Sequence, residues 1–152
     1  MSDDEMKANV FGSLFLVANR LQVLGDQIDA HVSTKQWLLL AVLLSCENQR
    51  CSLTALSKRT GSSRQNIKKM ALILEKRGFL KLTRSDEDKR TVLLQPTQAC
   101  LSHLKTREGD ERAFVDAFFA DFDTEMIMVM QKSITQWMKN LARMEDTYGK
   151  EE

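Results

Sequence analysis

Apolar residues recur every three or four positions near the start of the chain. This spacing places side chains on one face of an α-helix, so it predicts a long amphipathic helix over residues 8–30. A second apolar row beside the first indicates burial on more than one side. The first row is Val10, Leu14, Val17, Leu21, Leu24 and Ile28, and the second is Phe11, Phe15 and Ala18.

Two shorter helices are predicted from their capping residues. Residues 33–36 (STKQ) read as a capping box that begins a helix ending near Cys46. The nearly all-round apolar character of that helix places it in the centre of the core. Thr97 follows Pro96 and is predicted to cap a helix that runs to about Lys105.

A second apolar stripe predicts one very long helix from Glu108 to about Asp146, with an early bend near Gly109. A small domain cannot bury so long a stripe by itself, so the first and last helices are expected to pack against a second copy of the chain. An intramolecular helical bundle is the alternative. The stripe comprises Val115, Phe119, Phe122, Met126, Met130, Ile134, Trp137, Leu141 and Met144, with Phe114 and Phe118 beside it.

Residues 52–78 have the pattern of two helices joined by a tight turn. A short capped helix over residues 52–60 is followed by the turn Gly61-Ser62-Ser63. The second helix is predicted over residues 64–77 (RQNIKKMALILEKR), with Gly78 as its C-terminal stop. Within it, the apolar stripe Ile67, Met70, Ala71 and Leu74 is expected to face the core.

A hairpin is predicted directly after these helices. Residues 79–83 and 91–94 alternate like strands around the charged segment 84–90. This order is typical of a winged helix-turn-helix, which lays its second helix in the major groove of DNA with the hairpin beside it. The predicted fold is therefore mainly α with a small β-hairpin wing. It consists of an N-terminal dimerisation helix (1–32), a winged helix-turn-helix DNA-binding domain (33–97) and C-terminal dimerisation helices (98–152).

Charge is segregated along the chain. The 152 residues carry a formal net charge of only +1. Residues 50–95, however, hold twelve Lys and Arg against four Asp and Glu, a net charge of +8, and the remainder carries −7. A neutral chain with one basic segment has the electrostatic footprint of a nucleic-acid binder. A basic helix can also be merely a solvated face, but the adjoining turn and hairpin favour double-stranded DNA as the partner.

Other functional classes find little support in the sequence. The acidic start is unlike a signal peptide, and the longest apolar run, residues 37–44, is far too short to span a membrane. Three cysteines without paired spacing fit a reducing compartment, so a cytoplasmic location is expected. No catalytic constellation or phosphate-binding glycine loop is present. We therefore expect neither an enzyme nor a cofactor, and scattered cysteines with only two histidines make a zinc site improbable.

Candidate base-reading residues lie at the start of the second helix. Gln65 and Asn66 can donate and accept together, as adenine requires, and Arg64 can form a forked contact with guanine. Ser62 and Ser63 can donate to phosphates at the helix N-terminus. Lys68 and Lys69, one turn on, are expected to meet bases or phosphates from the rim. The plainer interpretation of Gln65 and Asn66 is ordinary polarity at a helix N-terminus.

Candidate contacts in the wing centre on Arg90. Asp88 lies two residues earlier, and strand alternation would put both on one face, where the carboxylate could orient the guanidinium for a minor groove. The plainer interpretation is a surface ion pair worth ~0–1 kcal/mol. Arg84 and Lys89 complete the predicted DNA-binding residues of the wing.

Two cysteines have settings that can lower a thiol pKa, because Cys51 and Cys100 each lie at the start of a predicted helix. Inert, buried thiols are the favoured interpretation. A thiol-based redox-sensing regulator nevertheless remains an alternative function, as does a winged-helix protein-interaction module without DNA binding.

Several motifs together resemble the MarR family of winged helix-turn-helix transcriptional regulators. The matching segments are Gln36-Trp37 before an apolar helix, residues 53–64 (LTALSKRTGSSR), residues 74–80 (LEKRGFL), Asp86 to Arg90 (DEDKR) in the wing, and Thr97 closing the second strand. The resemblance implies a homodimer that binds a pseudo-palindromic operator, usually as a repressor, and is released by a small ligand or by oxidation. It also implies a ligand pocket between the dimerisation helices and the winged domain, for which Arg20, His31 and Trp37 are candidates.

Overall fold

The computed structural model describes residues 1–149. Within them the chain forms seven α-helices, one 3₁₀ turn and three short strands, in the order α1, α2, β1, α3, α4, β2, β3, α5, α6, α7. The helices are Asp3–Gly25, Thr34–Leu44, Leu53–Thr60, Arg64–Lys76, Gln98–Thr106, Glu108–Phe118 and Thr124–Tyr148; the strands are Cys51–Ser52, Leu80–Arg84 and Val92–Pro96. The mainly helical winged fold predicted from the sequence is thus confirmed.

Helix α1 begins and ends earlier than the apolar stripe predicted. Ser2 caps its N-terminus in a capping box with Glu5, and the helix ends at Gly25. Gly25 is buried against Thr34, where a Cβ atom would collide with the Thr34 side chain. The Thr34 hydroxyl also donates to the carbonyl of Gln22, 3.2 Å away. The end of α1 is therefore tied to the start of α2, and Ile28 lies beyond the helix.

The apolar rows of α1 are largely exposed within the single chain. Phe11 and Phe15 are 65% and 59% exposed and pack against each other with ring centroids 5.3 Å apart. Val10, Leu14, Val17 and Leu24 are also exposed. The burial on more than one side that the two rows predicted is therefore absent from the single chain.

The hydrophobic core is centred on α2, as its apolar character predicted. Ser33 caps the helix in the expected capping box with Gln36. Leu39, Leu40 and Leu43 are fully buried, whereas Trp37 and Leu38 face outward. The other core residues are Val32, Cys46, Cys51, Leu53, Leu56, Ile67, Ala71, Leu74, Leu80, Leu94 and Cys100.

The three strands form an antiparallel sheet in the order β1-β3-β2. The hairpin pairs Leu80 with Pro96 and Arg84 with Val92, so its strands lie about one residue further along than predicted. Strand β1 was not predicted, because two residues directly before a helix carry no periodic signal. It exists through long-range pairing of Cys51 with Leu94.

The C-terminal region is divided where one long helix was predicted. Helix α6 ends at Phe118 and α7 begins at Thr124, with Asp123 capping α7 by accepting a hydrogen bond from the backbone of Met126 at 2.8 Å. Asp121, between them, has a φ of 65°. Gly109, near which a bend was predicted, is the second residue of α6.

Two compact units are present, the first comprising residues 1–111 and the second beginning at Arg112 and including α7. Within the second unit, the predicted stripe residues of α7 are exposed in the single chain, among them Met126, Met130, Ile134, Trp137, Leu141 and Met144.

Candidate DNA interface

The helix-turn-helix is built by local capping and one left-handed glycine. The Ser52 hydroxyl caps α3 by accepting from the backbone N–H of Ala55 at 3.1 Å. Gly61 ends α3 with a φ of 69°, a backbone conformation that favours glycine. The Ser57 hydroxyl then donates to the carbonyl of Ser62 at 2.6 Å, which holds the turn before α4.

Helix α4 packs one face against the core and exposes the opposite face to solvent. Ile67, Ala71 and Leu74 are fully buried and Met70 is half-buried, as the periodicity predicted. Ser63 caps the helix by accepting from the Asn66 backbone at 3.1 Å, so its hydroxyl hydrogen is still available to donate. The exposed residues of the opposite face are Arg64, Gln65, Asn66, Lys68 and Lys69; Ser63 is exposed and Ser62 is half-buried.

The wing tip presents a local turn rather than an extended strand. Asp88, Lys89 and Arg90 all lie between β2 and β3, so the prediction that strand alternation places Asp88 and Arg90 on one face is wrong. The Asp88 carboxylate instead accepts from the Arg90 backbone at 3.0 Å, and it lies 3.4 Å from Arg90 Nε. The Arg90 side chain is 95% exposed. The carboxylate therefore contacts Arg90 within a turn rather than across a strand face.

The end of β2 is also linked to the tip of the hairpin. Arg84, the last residue of β2, donates from Nη1 to the carbonyl of Arg90 at 3.4 Å. The Asp88 carbonyl accepts from the Thr91 backbone at 2.9 Å, which closes the tip. Arg84 and Lys89 are exposed, so all three cations predicted to bind DNA in the wing are open to a partner.

A buried polar network joins Asp29, His103 and Arg107. It was not predicted from the sequence. Asp29, whose side chain is 6% exposed, lies 2.6 Å from His103 Nε2 and 3.0 Å from Arg107 Nη1. Its second oxygen accepts from the His31 backbone at 2.8 Å. The Phe79 ring, just before β2, stacks on His103 with centroids 5.0 Å apart. No sequence signal could have joined these residues, because His103 is 74 positions from Asp29.

The charges around Asp29 control its ionisation. Burial by itself raises the pKa of a carboxyl, but the hydrogen bonds from His103 and His31 and the charges of His103 and Arg107 outweigh it and lower the pKa of Asp29. Arg107 is also paired with Glu111, whose Oε1 lies 2.7 Å from its Nε. The network is therefore held by an ionised carboxylate.

Of the three predicted ligand-binding residues, one lines a cleft in the part of the chain that the structure describes. A cleft of about 410 Å³ lies beside α2 and α5 and includes Trp37, but neither Arg20 nor His31 lines it. Both of these residues are exposed, and the His31 ring packs edge-on against His103. The cleft is lined by Trp37, Leu40, Ala41, Leu44, Gln49, Leu101, Leu104, Lys105, Glu108 and Glu111.

Cys51 and Cys100 do not have the lowered thiol pKa values that their positions at predicted helix starts would allow. Burial raises the pKa of the Cys100 thiol to about 11. Burial and the neighbouring Cys46 thiol raise the pKa of Cys51 to about 11, although the charge of Arg59 opposes this. Cys51 and Cys100 are therefore protonated thiols at neutral pH, in agreement with the favoured interpretation.

Comparison with known proteins identifies this architecture. Residues 32–92 match the model of the MarR family. Residues 32–92 therefore resemble a MarR-family domain. That match spans the helix-turn-helix and most of the wing. Proteins of this family are transcriptional regulators and not enzymes, which agrees with the class predicted from the sequence. Among curated proteins, no sequence matches the chain significantly.

The similarity to solved MarR structures extends beyond residues 32–92. AbsC, a MarR family transcriptional regulator from Streptomyces coelicolor, is 16% identical with a TM-score of 0.78, and the match covers 93% of this chain and 97% of AbsC. A MarR protein from Peptoclostridium difficile is 21% identical with a TM-score of 0.77, covering 88% and 87%. Sco3205, a MarR family transcriptional regulator from Streptomyces coelicolor solved in complex with DNA, is 25% identical with a TM-score of 0.74, covering 93% and 88%.

Within residues 1–149, no helix has both the length and the apolar character needed to cross a membrane.

Proposed function

We propose that this protein is a sequence-specific transcriptional regulator that binds double-stranded DNA through α4 and the wing. The observation that carries the proposal is that α4 buries Ile67, Ala71 and Leu74 and exposes amide and cationic side chains along its first two turns. Arg64, Gln65 and Asn66 occupy its first turn, where a recognition helix contacts base edges. The relative Sco3205 was solved with DNA, which supports the same use of the fold here.

The basic segment supports the proposal electrostatically. Residues 50–95 carry +8, and the cations of α4 and of the wing are exposed. Each phosphate contact releases counterions, so affinity should fall with a slope of ~−0.9 per phosphate in a plot of log K against log salt. The test is selection of bound sequences from random duplex DNA, followed by titration of the best site at several salt concentrations. Absence of any enriched duplex would favour a protein-interaction module instead.

Base reading can be separated from phosphate binding on α4. Gln65→Ala and Asn66→Ala should relax base preference, since a lost bidentate contact removes ~1–3 kcal/mol of discrimination. Lys68→Ala is the matched control on the same face and should weaken selected and scrambled DNA together. Equal losses on both DNAs for the Gln65 and Asn66 variants would show that these side chains do not read bases.

The wing is proposed to insert Arg90 into a minor groove, oriented by Asp88. Narrow A·T-rich grooves concentrate negative potential, so Arg90→Ala should weaken A·T-flanked sites more than G·C-flanked ones. Asp88→Asn should reproduce part of that loss even though it removes an anion. Asp86→Asn is the matched control, because Asp86 is an exposed acid of the same tip. If both Asn variants bind every site more tightly, Asp88 is only a repulsive charge.

We further propose that the protein acts as a homodimer on a pseudo-palindromic operator, as a repressor. The exposed apolar rows of α1 support this, since a soluble single chain rarely leaves so many large apolar side chains in water. Light scattering should give twice the 17.4 kDa chain mass. Phe11→Glu with Phe15→Glu should shift the protein toward monomer, whereas Asn9→Glu, on the far side of α1, should not. A wild-type monomer would remove the basis for two half-sites.

Release by a small ligand completes the proposed function. The cleft beside α2 and α5 is the candidate site, with a mostly apolar wall, one cation, Lys105, and two carboxylates, Glu108 and Glu111. A panel of small, largely apolar molecules should include one that reduces DNA affinity, and Trp37→Ala should abolish that response without changing DNA affinity in the absence of the ligand. A response that survives Trp37→Ala would place the ligand elsewhere.

A further inference from the structure

Helix α4 exposes a large apolar side chain in the middle of its cationic face. Leu72 is 47% exposed, although it lies only one turn beyond Lys68 and Lys69. It follows Gln65 by seven positions, which is nearly two full turns, so the two side chains lie on the same face of the helix. Lys76, four positions further on, continues this row and is also exposed. The row therefore runs along most of α4 and is amide or cationic everywhere except at Leu72.

The acidic residue of α4 is engaged elsewhere. Glu75 is the only acid in the helix, and its carboxylate accepts a hydrogen bond from the backbone N–H of Leu82 in β2, 3.2 Å away. That contact directs the negative charge to the hairpin. The charged neighbours of Leu72 along its row are therefore all lysines, and a positive potential of this kind suits the phosphates of a nucleic acid better than an ordinary protein surface.

The position of Leu72 determines what it can contact in a major groove. Its side chain has no group that could hydrogen-bond to a base edge, so a contact there has to be apolar. The apolar feature of the major groove is the C5-methyl group of thymine. Seven residues of α-helix span about 10 Å, which corresponds to about three base-pair steps of DNA. A helix that contacts one base through Gln65 thus carries Leu72 to a base pair two or three steps away.

We propose that Leu72 is a further specificity-determining residue, which selects thymine by contact with its C5-methyl group. The inference rests on the proposed binding of DNA through α4 and adds one base position to it. Contact removes the methyl group and part of the leucine side chain from water, which is favourable. Loss of the methyl group should weaken binding about fourfold, the factor that burial of one CH₂ group supplies.

Uracil scanning of the selected DNA site tests the contact directly. In the duplex selected from random DNA, each thymine is replaced in turn by deoxyuridine, which lacks the C5-methyl group and keeps the same hydrogen-bonding groups. The affinity of the wild-type protein should fall about fourfold at one thymine. That thymine should lie two or three base pairs from the position at which Gln65→Ala relaxes base preference.

Two alanine variants assign the effect to a side chain. Leu72→Ala should bind the thymine and deoxyuridine duplexes equally at that position and keep the base preference attributed to Gln65. Ile73→Ala is the matched control, because Ile73 is 37% exposed but lies 100° further round the helix, outside the row. It should keep the wild-type sensitivity to deoxyuridine. Both variants place alanine, the best helix former, at an exposed position, and urea unfolding should show that both remain folded.

The possible failures are distinguishable. The inference is overturned if no deoxyuridine weakens wild-type binding, because Leu72 then meets no methyl group. It is also overturned if Leu72→Ala keeps the full sensitivity to deoxyuridine, or if Ile73→Ala loses it as well. In these cases a selected duplex still exists, so sequence-specific DNA binding stands. Absence of any selected duplex would instead overturn the proposed function, and the role of Leu72 with it.

Discussion

Replacing Asp29 with alanine should destabilise the protein more than any single exposed charge would. The buried carboxylate accepts hydrogen bonds from His103 at 2.6 Å, from Arg107 at 3.0 Å and from the His31 backbone at 2.8 Å. Removing one partner of a buried ion pair typically costs 3–5 kcal/mol. Arg107 keeps its contact with Glu111, and His103 is partly exposed, so the loss should be near the lower limit, about 3 kcal/mol.

The measurement is equilibrium unfolding in urea at fixed protein concentration and pH 7, supported by thermal melts. For a chain of this length, about 3 kcal/mol corresponds to a lower Tm by ~6–12 °C. Asp26→Ala is the matched control. Asp26 lies three positions away but is exposed and accepts only from the Thr34 backbone at 2.7 Å, so its loss should be about 1 kcal/mol. If the two variants are equally stable, the buried network does not stabilise the fold.

The same network predicts a particular dependence on pH. The pKa of Asp29 is lowered below its ordinary value of 3.8, so the folded state binds this proton less readily than the unfolded chain. The stabilisation is therefore fully present above pH 3.8 and is lost as the pH falls through the lowered pKa. Asp29→Asn keeps the shape of the side chain without its charge. The difference in free energy of unfolding between this variant and the wild type should therefore be constant above pH 3.8 and shrink as the pH falls through the lowered pKa. A difference that grows on acidification would contradict the assigned sign.

Three local features give further predictions, each measured by urea unfolding. Gly78→Ala should lower the free energy of unfolding by ~1–2 kcal/mol because φ at Gly78 is 80°. Gly109→Ala should raise it by ~0.5–1 kcal/mol, because Gly109 lies in α6 with open space around it. Ser63→Ala removes the cap of α4 and should lower the free energy of unfolding by ~1 kcal/mol. Ser62 caps no helix, so Ser62→Ala should lower it by less than half of that. Leu43→Ala should lose ~2–5 kcal/mol because Leu43 is fully buried, and a smaller loss would show that the site collapses around the cavity.

Much of the winged domain follows from signals a few residues long. Ser33 and Thr97 were identified as caps because a capping side chain and its backbone partner are two or three positions apart. Gly61 and Gly78 mark their turns for an equally local reason, since their positive φ values suit no other residue as well. The periodic spacing of Ile67 and Leu74 likewise determined which face of α4 is buried and which is free for a partner.

Other features were decided by tertiary structure alone. The break between α6 and α7 lacks glycine or proline and is made by Asp121 at positive φ, so apolar periodicity continued across it. Strand β1 exists only because Cys51 meets Leu94. Asp29 and His103 likewise become partners only when the chain folds. Helix caps and periodic faces are properties of neighbouring residues, whereas pairings between distant residues depend on how the whole chain packs, which no local pattern encodes.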